Sequence, residues 1–189
     1  LMFSPFGGSP EGRQFLELFY LWFIASSLIV IFFYDLKHYI IPDRILFPAL
    51  AITFFYRIYE VLKFNHWDLI RNLTLEIRNF ESLLNPIGAA ILASTFFFAI
   101  YALSRGTWMG FGDVKLALLM GLVLGFPGII VALFFAFVAG AILSLFLVFL
   151  RKKQWKSQVP FAPFLVFGTF LALFFGAPIV NWYLNMFLL

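Results

Sequence analysis

Two aspartates stand at the ends of apolar runs, where a charge is costly. Asp113 lies in the motif Gly110-Phe111-Gly112-Asp113, and a largely apolar stretch follows it to Leu124. Asp35 ends another apolar run, just before Leu36-Lys37-His38-Tyr39-Ile40-Ile41-Pro42-Asp43. Charged side chains at membrane depth are expensive and usually mark functional sites. We therefore interpret both carboxylates as candidates for acid–base chemistry.

Two carboxylates that come within a few ångströms cannot both ionise cheaply, so they share one proton. The ionised member can take a proton from a water molecule that attacks a peptide carbonyl. The protonated member supports the tetrahedral intermediate and donates a proton to the leaving amine. The predicted catalytic residues are thus Asp35 and Asp113, in an aspartyl protease that needs no cofactor and no metal.

Several neighbours are predicted to support this pair. Gly110 and Gly112 would let the backbone approach another helix or an extended substrate. Lys115 would either steady the carboxylates or extend to the membrane interface. Asp43, which follows Pro42, would more simply cap the next helix than take part in chemistry.

Each acid also has an ordinary structural interpretation when taken singly. Asp35 could be a polar helix end paired with Lys37, and Asp113 could be an N-terminal cap that the helix dipole favours. His38 and His66 do not have metal-ligand spacing, so we interpret them as surface or interface residues. The catalytic interpretation depends on the two acids lying on the same side of a membrane.

Composition predicts an all-α integral membrane protein. The 189 residues are 63% hydrophobic, 22% aromatic and 12% charged, and a soluble domain of this size would expose too much apolar surface. The absence of Cys excludes disulfides and thiol nucleophiles. The net charge of +4 comes from basic residues in short loops, so we do not expect a nucleic-acid partner.

Apolar runs long enough for a bilayer of about 30 Å predict a bundle of about six transmembrane helices. The first run ends near Tyr34, and the later breaks fall in charged loops or at glycine and proline. The first two predicted spans are Phe15 to Tyr34 and about Ile45 to Tyr59. The third is the charge-free stretch between Glu81 and Arg105, centred on Pro86 to Ser104. A short and a full span follow on either side of Gly125-Phe126-Pro127-Gly128, and a last span starts near Pro160.

An amphipathic loop helix is predicted between the second and third spans, because apolar residues recur there at three- and four-residue intervals from Ile70 to Leu84. It would lie in the membrane interface or pack on its own bundle. Residues 1–14, rich in Gly, Pro and Ser, are predicted to be a flexible N-terminal segment. Residues 15–189 would then form one membrane domain.

Basic residues in alternate loops predict the orientation of the spans. One side collects Lys37, Arg44, Arg105, Lys115, Arg151, Lys152, Lys153 and Lys156. The other collects Arg13, Arg57, Lys63, Arg71 and Arg78, mostly in one acid-balanced loop. The first side should be cytoplasmic, and both Asp35 and Asp113 fall on it.

The motifs together resemble those of the type IV prepilin peptidases, which are intramembrane aspartyl proteases with a Gly-x-Gly-Asp motif. The resemblance rests on Asp35 to Asp43, on Gly110 to Leu116 and on the late segment Pro160-Phe161-Ala162-Pro163-Phe164. It covers about Phe19 to Gly176. The family often has Gly where this chain has Ala162.

The resemblance implies that the substrate is the N-terminal leader of a prepilin or pseudopilin, cut at the cytoplasmic side of the cell's inner membrane. By motif position, Asp35 and Asp113 match the family's catalytic pair and Asp43 matches an accessory acid. Many relatives also carry an N-methyltransferase domain with zinc-binding Cys residues. Since this chain has no Cys, methylation is not expected of it.

Two other classes of protein fit the intramembrane acids. A small proton-coupled transporter would use them as a proton relay, although a midplane acid and inverted repeats would be expected there. A non-catalytic subunit of a pilus or secretion system is the other alternative. Either alternative would tolerate loss of hydrolysis.

Overall fold

Helices are the only regular secondary structure in the residues that this computed structural model describes, which are 11–68, 73–149 and 160–188. These residues form α1 (Glu11–His38), α2 (Asp43–Asp68), α3 (Leu73–Ser104), α4 (Phe111–Phe149) and α5 (Ala162–Leu188). Four of the helices, α1, α3, α4 and α5, contain stretches long and apolar enough to cross a membrane. An all-α protein with membrane-spanning helices is therefore confirmed, while the number of six spans stays a prediction.

The observed helices differ from the predicted segments mainly at their ends. Helix α1 begins at Glu11, so residues 11–14 of the predicted flexible segment are helical, and the rest of that segment lies outside the described residues. Helix α2 continues to Asp68, past the predicted end at Tyr59. Helix α5 runs through Pro178 without ending there.

The predicted amphipathic loop helix is not a separate element in the structure. Its residues from Leu73 onward belong to α3, which continues through Pro86 to Ser104. Residues 70–72 and the side chains up to residue 82 lie outside what the structure describes, so the amphipathic face itself stays a prediction.

Helix α4 is broken where glycine and proline predicted it. Gly125 has φ 61° and ψ −173°, and Phe126 is also non-helical. On α3, the ring centre of Tyr101 lies 5.4 Å from that of Phe111. The ring centre of Phe97, one turn earlier on α3, lies 6.0 Å from that of Phe137. A straight α4 would hold residues 111 and 137 about 39 Å apart. The chain therefore folds back at the break, and α4 consists of a first arm (residues 111–124) and a second arm (residues 127–149).

Small residues let the helices approach closely around α4. A Cβ added at Gly121 in the first arm would lie 2.3 Å from the Cα of Ala90 in α3. A Cβ added at Gly168 in α5 would lie 2.2 Å from the Ala132 carbonyl oxygen in the second arm. Close approach through small residues is typical of helix pairs in membranes. These contacts place α4 in the middle of the bundle, between α3 and α5.

Candidate active site

A cavity of about 860 Å³ opens at one end of the bundle, which we call the cavity end. The last turn of α1, the loop after it, the loop before α4, the first residues of α2 and α4, and the two residues before α5 surround this cavity. Six of the seven residues singled out from the sequence line it, namely Asp35, Asp43, Gly110, Gly112, Asp113 and Lys115. Pro42 does not. The structure thus brings together residues that lie up to 80 positions apart in the sequence.

Asp35 and Asp113 are both almost fully buried at this cavity, with 5% and 7% of their surfaces exposed. The two carboxylates are close enough for the charge of Asp35 to act on Asp113. The backbone N–H of Ala162, at the start of α5, lies beside the Asp35 carboxylate, and that of Gly110 lies beside Asp113. Acids that share an enclosed site and have access to backbone donors can divide one proton between them.

The loop between α1 and α2 places Asp35 at this site. Tyr39 adopts a left-handed conformation with φ 57°, and its N–H donates to the Asp35 carbonyl oxygen at 2.9 Å. Such a residue ends a helix. Pro42 then precedes α2, and its carbonyl oxygen accepts hydrogen bonds from the N–H groups of Ile45 and Leu46. Pro42 therefore shapes the loop without facing the cavity.

The two glycines of the motif have different surroundings. A Cβ at Gly112 would lie 3.0 Å from the Cβ of Ile41, so glycine is needed for the loop after α1 to approach α4. At Gly110 the nearest atom would be a carboxylate oxygen of Asp113, at 3.9 Å. That distance is an ordinary contact. The predicted close approach is therefore found at Gly112 and not at Gly110.

Asp43 and Lys115 form an ion pair across the cavity end. The Lys115 Nζ donates to the two Asp43 carboxylate oxygens at 2.7 and 2.9 Å. It also lies 5.0 Å from the centre of the Phe47 ring and 5.4 Å from that of Phe111. The hydrogen bonds of Asp43 thus go to Lys115, not to the helix start that it was predicted to cap. Lys115 likewise pairs with Asp43 and not with Asp35 or Asp113.

The remaining lining of the cavity is mostly apolar or aromatic. The loop before α4 contributes Trp108, which is 79% exposed, and Met109. Phe161, from the Pro-Phe-Ala-Pro segment, lines the cavity and packs against Phe97 and Phe137. An apolar wall beside two acids suits a peptide with an apolar segment next to its scissile bond.

The described residues contain no group of three His, Asp or Glu side chains that could hold a metal ion. His38 is exposed, stacks on the Tyr34 ring and contacts the Tyr34 carbonyl oxygen at 3.3 Å. The side chain of His66 lies outside the described residues.

Sequence reasoning missed a second polar cluster at the opposite end of the bundle, which we call the far end. There, Arg57 of α2 donates to the carbonyl oxygens of Leu122 and Val123, and Asn85 of α3 binds the backbone of Phe126. The loop-charge pattern places Arg57 among the loop residues, but α2 contains it. The signal was present, because Arg57 falls inside the predicted second span, where a charge calls for a partner.

Comparison with known proteins agrees with these motifs. Residues 22–145 match the type IV leader peptidase family. A protein of Legionella pneumophila named prepilin leader peptidase/N-methyltransferase is 28% identical over 158 residues, which are 84% of this chain and 50% of that protein. A protein of the same name from Bacillus subtilis is 31% identical over 171 residues, or 90% of this chain and 61% of that protein.

The chain spans about half the length of the first relatives that it matches. No solved structure matches it significantly. The family match covers more than half of the chain and includes both motifs that hold the buried acids. The family expected from the motifs is thereby confirmed: this multi-pass membrane protein belongs to the type IV leader peptidase family.

Proposed function

We propose that this chain is a membrane endopeptidase that cleaves the N-terminal leader of type IV prepilins or pseudopilins. One observation carries the proposal, namely that two buried acids from different helices, Asp35 and Asp113, line the same cavity. Family membership supplies the substrate class. The chain's own leader cleavage, its prepilin partner and the catalytic roles below are parts of this proposal.

In the proposed mechanism, Asp35 and Asp113 share one proton and hold a water molecule between them. The ionised carboxylate takes a proton as the water oxygen attacks the scissile carbonyl carbon. The protonated carboxyl first donates a hydrogen bond to the carbonyl oxygen, and a proton passes to the amine nitrogen as the C–N bond breaks. The products are the leader carboxylate and the new N-terminus of the pilin.

The positions of the two acids at helix ends do not decide which of them is the ionised general base. Asp113 lies in the first turn of α4, where the helix dipole favours an ionised carboxylate. Asp35 lies in the last turn of α1, but its carboxylate lies beside the Ala162 N–H at the start of α5. Each acid therefore has a helix N-terminus beside it.

We further propose that the chain crosses the membrane six times. Successive segments alternate in direction, since α1 ends at the cavity end, α2 begins there, α3 ends there and the first arm of α4 begins there. The second arm returns toward Phe161, and α5 leads away again. Helix α2 is not one of the four helices found long and apolar enough to cross a membrane, so its crossing rests on this alternation of direction.

The loop charges support a cytoplasmic location for the cavity end, in the cell's inner membrane. Lys37, Arg44, Arg105 and Lys115 all belong to helix ends or loops near the cavity. Because the natural chain has no Cys, a single Cys introduced at Trp108 or Asn72 can be labelled without background. We expect a membrane-impermeant thiol reagent to reach Cys at 108 from the cytoplasmic side and Cys at 72 from the outside. The reverse pattern would place the acids on the wrong face.

Catalysis is tested with the full chain in detergent and a synthetic peptide that joins a basic leader to an apolar segment. Asp35→Asn and Asp113→Asn should each abolish cleavage while thermal stability stays close to that of the natural protein. Glu17→Gln is the control, because it removes an acid from the end of α1 that lies away from the cavity. This variant should cleave the peptide as the natural protein does. Activity that survives in either Asn variant would refute the proposed pair.

The same assay separates this proposal from a transporter or an assembly subunit, neither of which needs hydrolysis. The relatives' names also include N-methyltransferase. The expectation that this chain does not methylate stays a prediction.

A further inference from the structure

The break in α4 leaves backbone groups of the first arm without their usual partners. In an unbroken helix, the Leu122 carbonyl oxygen would accept from the N–H of Phe126, and the Val123 oxygen would accept from residue 127. Residue 127 is proline, which has no N–H. Phe126 is non-helical, and its N–H donates to the Asn85 Oδ1 instead. Both carbonyl oxygens therefore need donors from elsewhere.

A single side chain supplies those donors. The Nε of Arg57 donates to the Leu122 oxygen at 3.0 Å, and its Nη2 donates to the Val123 oxygen at 2.7 Å. Its Nη1 donates to Glu60 Oε2 at 2.7 Å, which partly compensates the charge. The planar guanidinium thus uses three separate donor groups, two of them on consecutive carbonyls. A lysine ammonium lacks this fork of donors.

The helix between the far end and the cavity end is stiff and enclosed. Asp113 lies nine residues before Leu122, or about 14 Å along the helix axis. Every residue from Asp113 to Gly125 is buried or half-buried, so other helices surround this segment. A displacement of the carbonyls at Leu122 and Val123 along the axis would therefore move Asp113 by a similar distance.

Helix α2 holds this segment at both ends. At the cavity end, Asp43 binds Lys115, two residues after Asp113. At the far end, Arg57 binds the last turn of the same arm. The ion pair at the cavity end is exposed to solvent, with 22% and 52% of its two side chains accessible, so it is the weaker of the two links.

From this arrangement we infer that Arg57 is a positioning residue for Asp113: it fixes the axial position of the first arm of α4 from the opposite end of the bundle. The inference rests on the proposed function for its kinetic consequences. Arg57 is not among the residues that line the cavity, so it is not placed to contact a peptide bound there. Its effect passes through the helix to the geometry of the carboxylate pair.

Three variants test the inference. Arg57→Gln removes the charge and the fork of donors, Arg57→Lys keeps the charge, and Arg44→Gln removes another arginine from α2 as the matched control. Arg44 is exposed, and the described residues show no hydrogen bond or ion pair for it. Each variant is purified as the full chain and first compared by thermal unfolding and size-exclusion chromatography.

For folded Arg57→Gln we expect kcat to fall by about 10- to 100-fold, because a misplacement of about 1 Å costs that much. KM for the leader peptide should stay unchanged, because the lining of the cavity is intact. Arg57→Lys should recover part of kcat, and Arg44→Gln should match the natural protein. If folded Arg57→Gln keeps the natural kcat and only its melting temperature falls, Arg57 merely supports the fold and the inference is wrong.

An infrared measurement makes the test independent of cleavage. The carboxyl band lost in Asp113→Asn identifies Asp113, and we expect this band to shift in Arg57→Gln, to shift less in Arg57→Lys and to stay in place in Arg44→Gln. An unshifted band in Arg57→Gln overturns the inference. If the natural chain fails to cleave the leader peptide, the proposed function is refuted. The shift of the Asp113 band still tests whether Arg57 positions Asp113. If Arg57→Gln does not fold, Arg57→Lys decides the question by both readouts.

Discussion

The two arms of α4 are both largely apolar but have opposite surroundings. In the first arm, every residue from Asp113 to Leu124 is buried or half-buried. In the second arm, large apolar side chains such as Phe134, Ile142 and Leu145 are exposed on the outside of the bundle. Hydropathy alone does not distinguish the arms, because both are apolar. The neighbouring helices create the difference, and they enclose the arm that bears the acid.

The comparison shows how the protein keeps a charged group within an apolar bundle. The first arm spans 14 residues, or about 20 Å, which is shorter than the hydrocarbon layer of about 30 Å. Polar side chains of α2 and α3 form hydrogen bonds with the backbone at its broken end. At its other end, Asp113 faces the cavity. The second arm has an outer face that suits lipid, so the bilayer can help to hold it.

The largest expected difference between the arms concerns their glycines. At Gly121 of the first arm, a Cβ would lie 2.3 Å from Ala90 Cα, and backbone cannot move aside cheaply. At Gly140 of the second arm, the nearest atoms would be in the rings of Phe161 and Phe164, at 3.5 Å. We expect Gly121→Ala to lower the free energy of unfolding by about 3 kcal/mol. Gly140→Ala should change it by less than about 1 kcal/mol. Equal melting temperatures for the two variants would show that the first arm is not packed more tightly than the second.

A smaller effect is expected at the broken end of the first arm. Asn85 donates through Nδ2 to the Phe126 carbonyl oxygen at 3.1 Å and accepts from the Phe126 N–H. Asn85→Ala removes both hydrogen bonds, which are exposed, and should cost about 0.5–1.5 kcal/mol. The control Ser94→Ala on the same helix removes only a bond to the Ile91 carbonyl oxygen and should be nearly neutral. Thermal unfolding in detergent measures both, and a neutral Asn85→Ala would show that the break needs no partner from α3.

The smallest effect is expected at the cavity end, where Lys115 and Asp43 pair in partial contact with solvent. A double-mutant cycle with Lys115→Met and Asp43→Asn should give a coupling energy of about 0.2–1 kcal/mol. The coupling should weaken as salt is added. A coupling well above this range that does not respond to salt would mean that the cavity end, like the far end, holds the first arm through a strong polar link.

The sequence predicted the acids better than their supports, and the reason is physical. Asp35 and Asp113 are visible because a charge at the end of an apolar run needs an explanation. The break at Gly125 is visible because glycine and proline disrupt helices locally. The bonds from Arg57 to α4 join residues 65 and 66 positions apart, and no local pattern encodes such a contact.

Arg57 carries a local signal of its own. A charge inside a predicted span needs a partner, and this holds for an arginine as it does for Asp113. Because Arg57 lies only two residues before the predicted end of the span at Tyr59, its position also fits a loop charge. Similarly, the N–H of Ala162 beside Asp35 depends on how α5 packs on α1, which sequence periodicity does not specify.

The enclosure of the first arm also has a consequence for biosynthesis. A segment of about 20 Å whose ends need polar partners gains little from entering lipid alone. Its partners Arg57 and Asn85 precede it in the chain, so they are already made when the ribosome reaches Asp113. The longer second arm follows directly and can draw the pair into the bilayer as a hairpin. The segment that bears Asp113 would thus depend for insertion on the helices before it and on the second arm after it. In a chain cut at Gly125, this segment should no longer insert into the membrane.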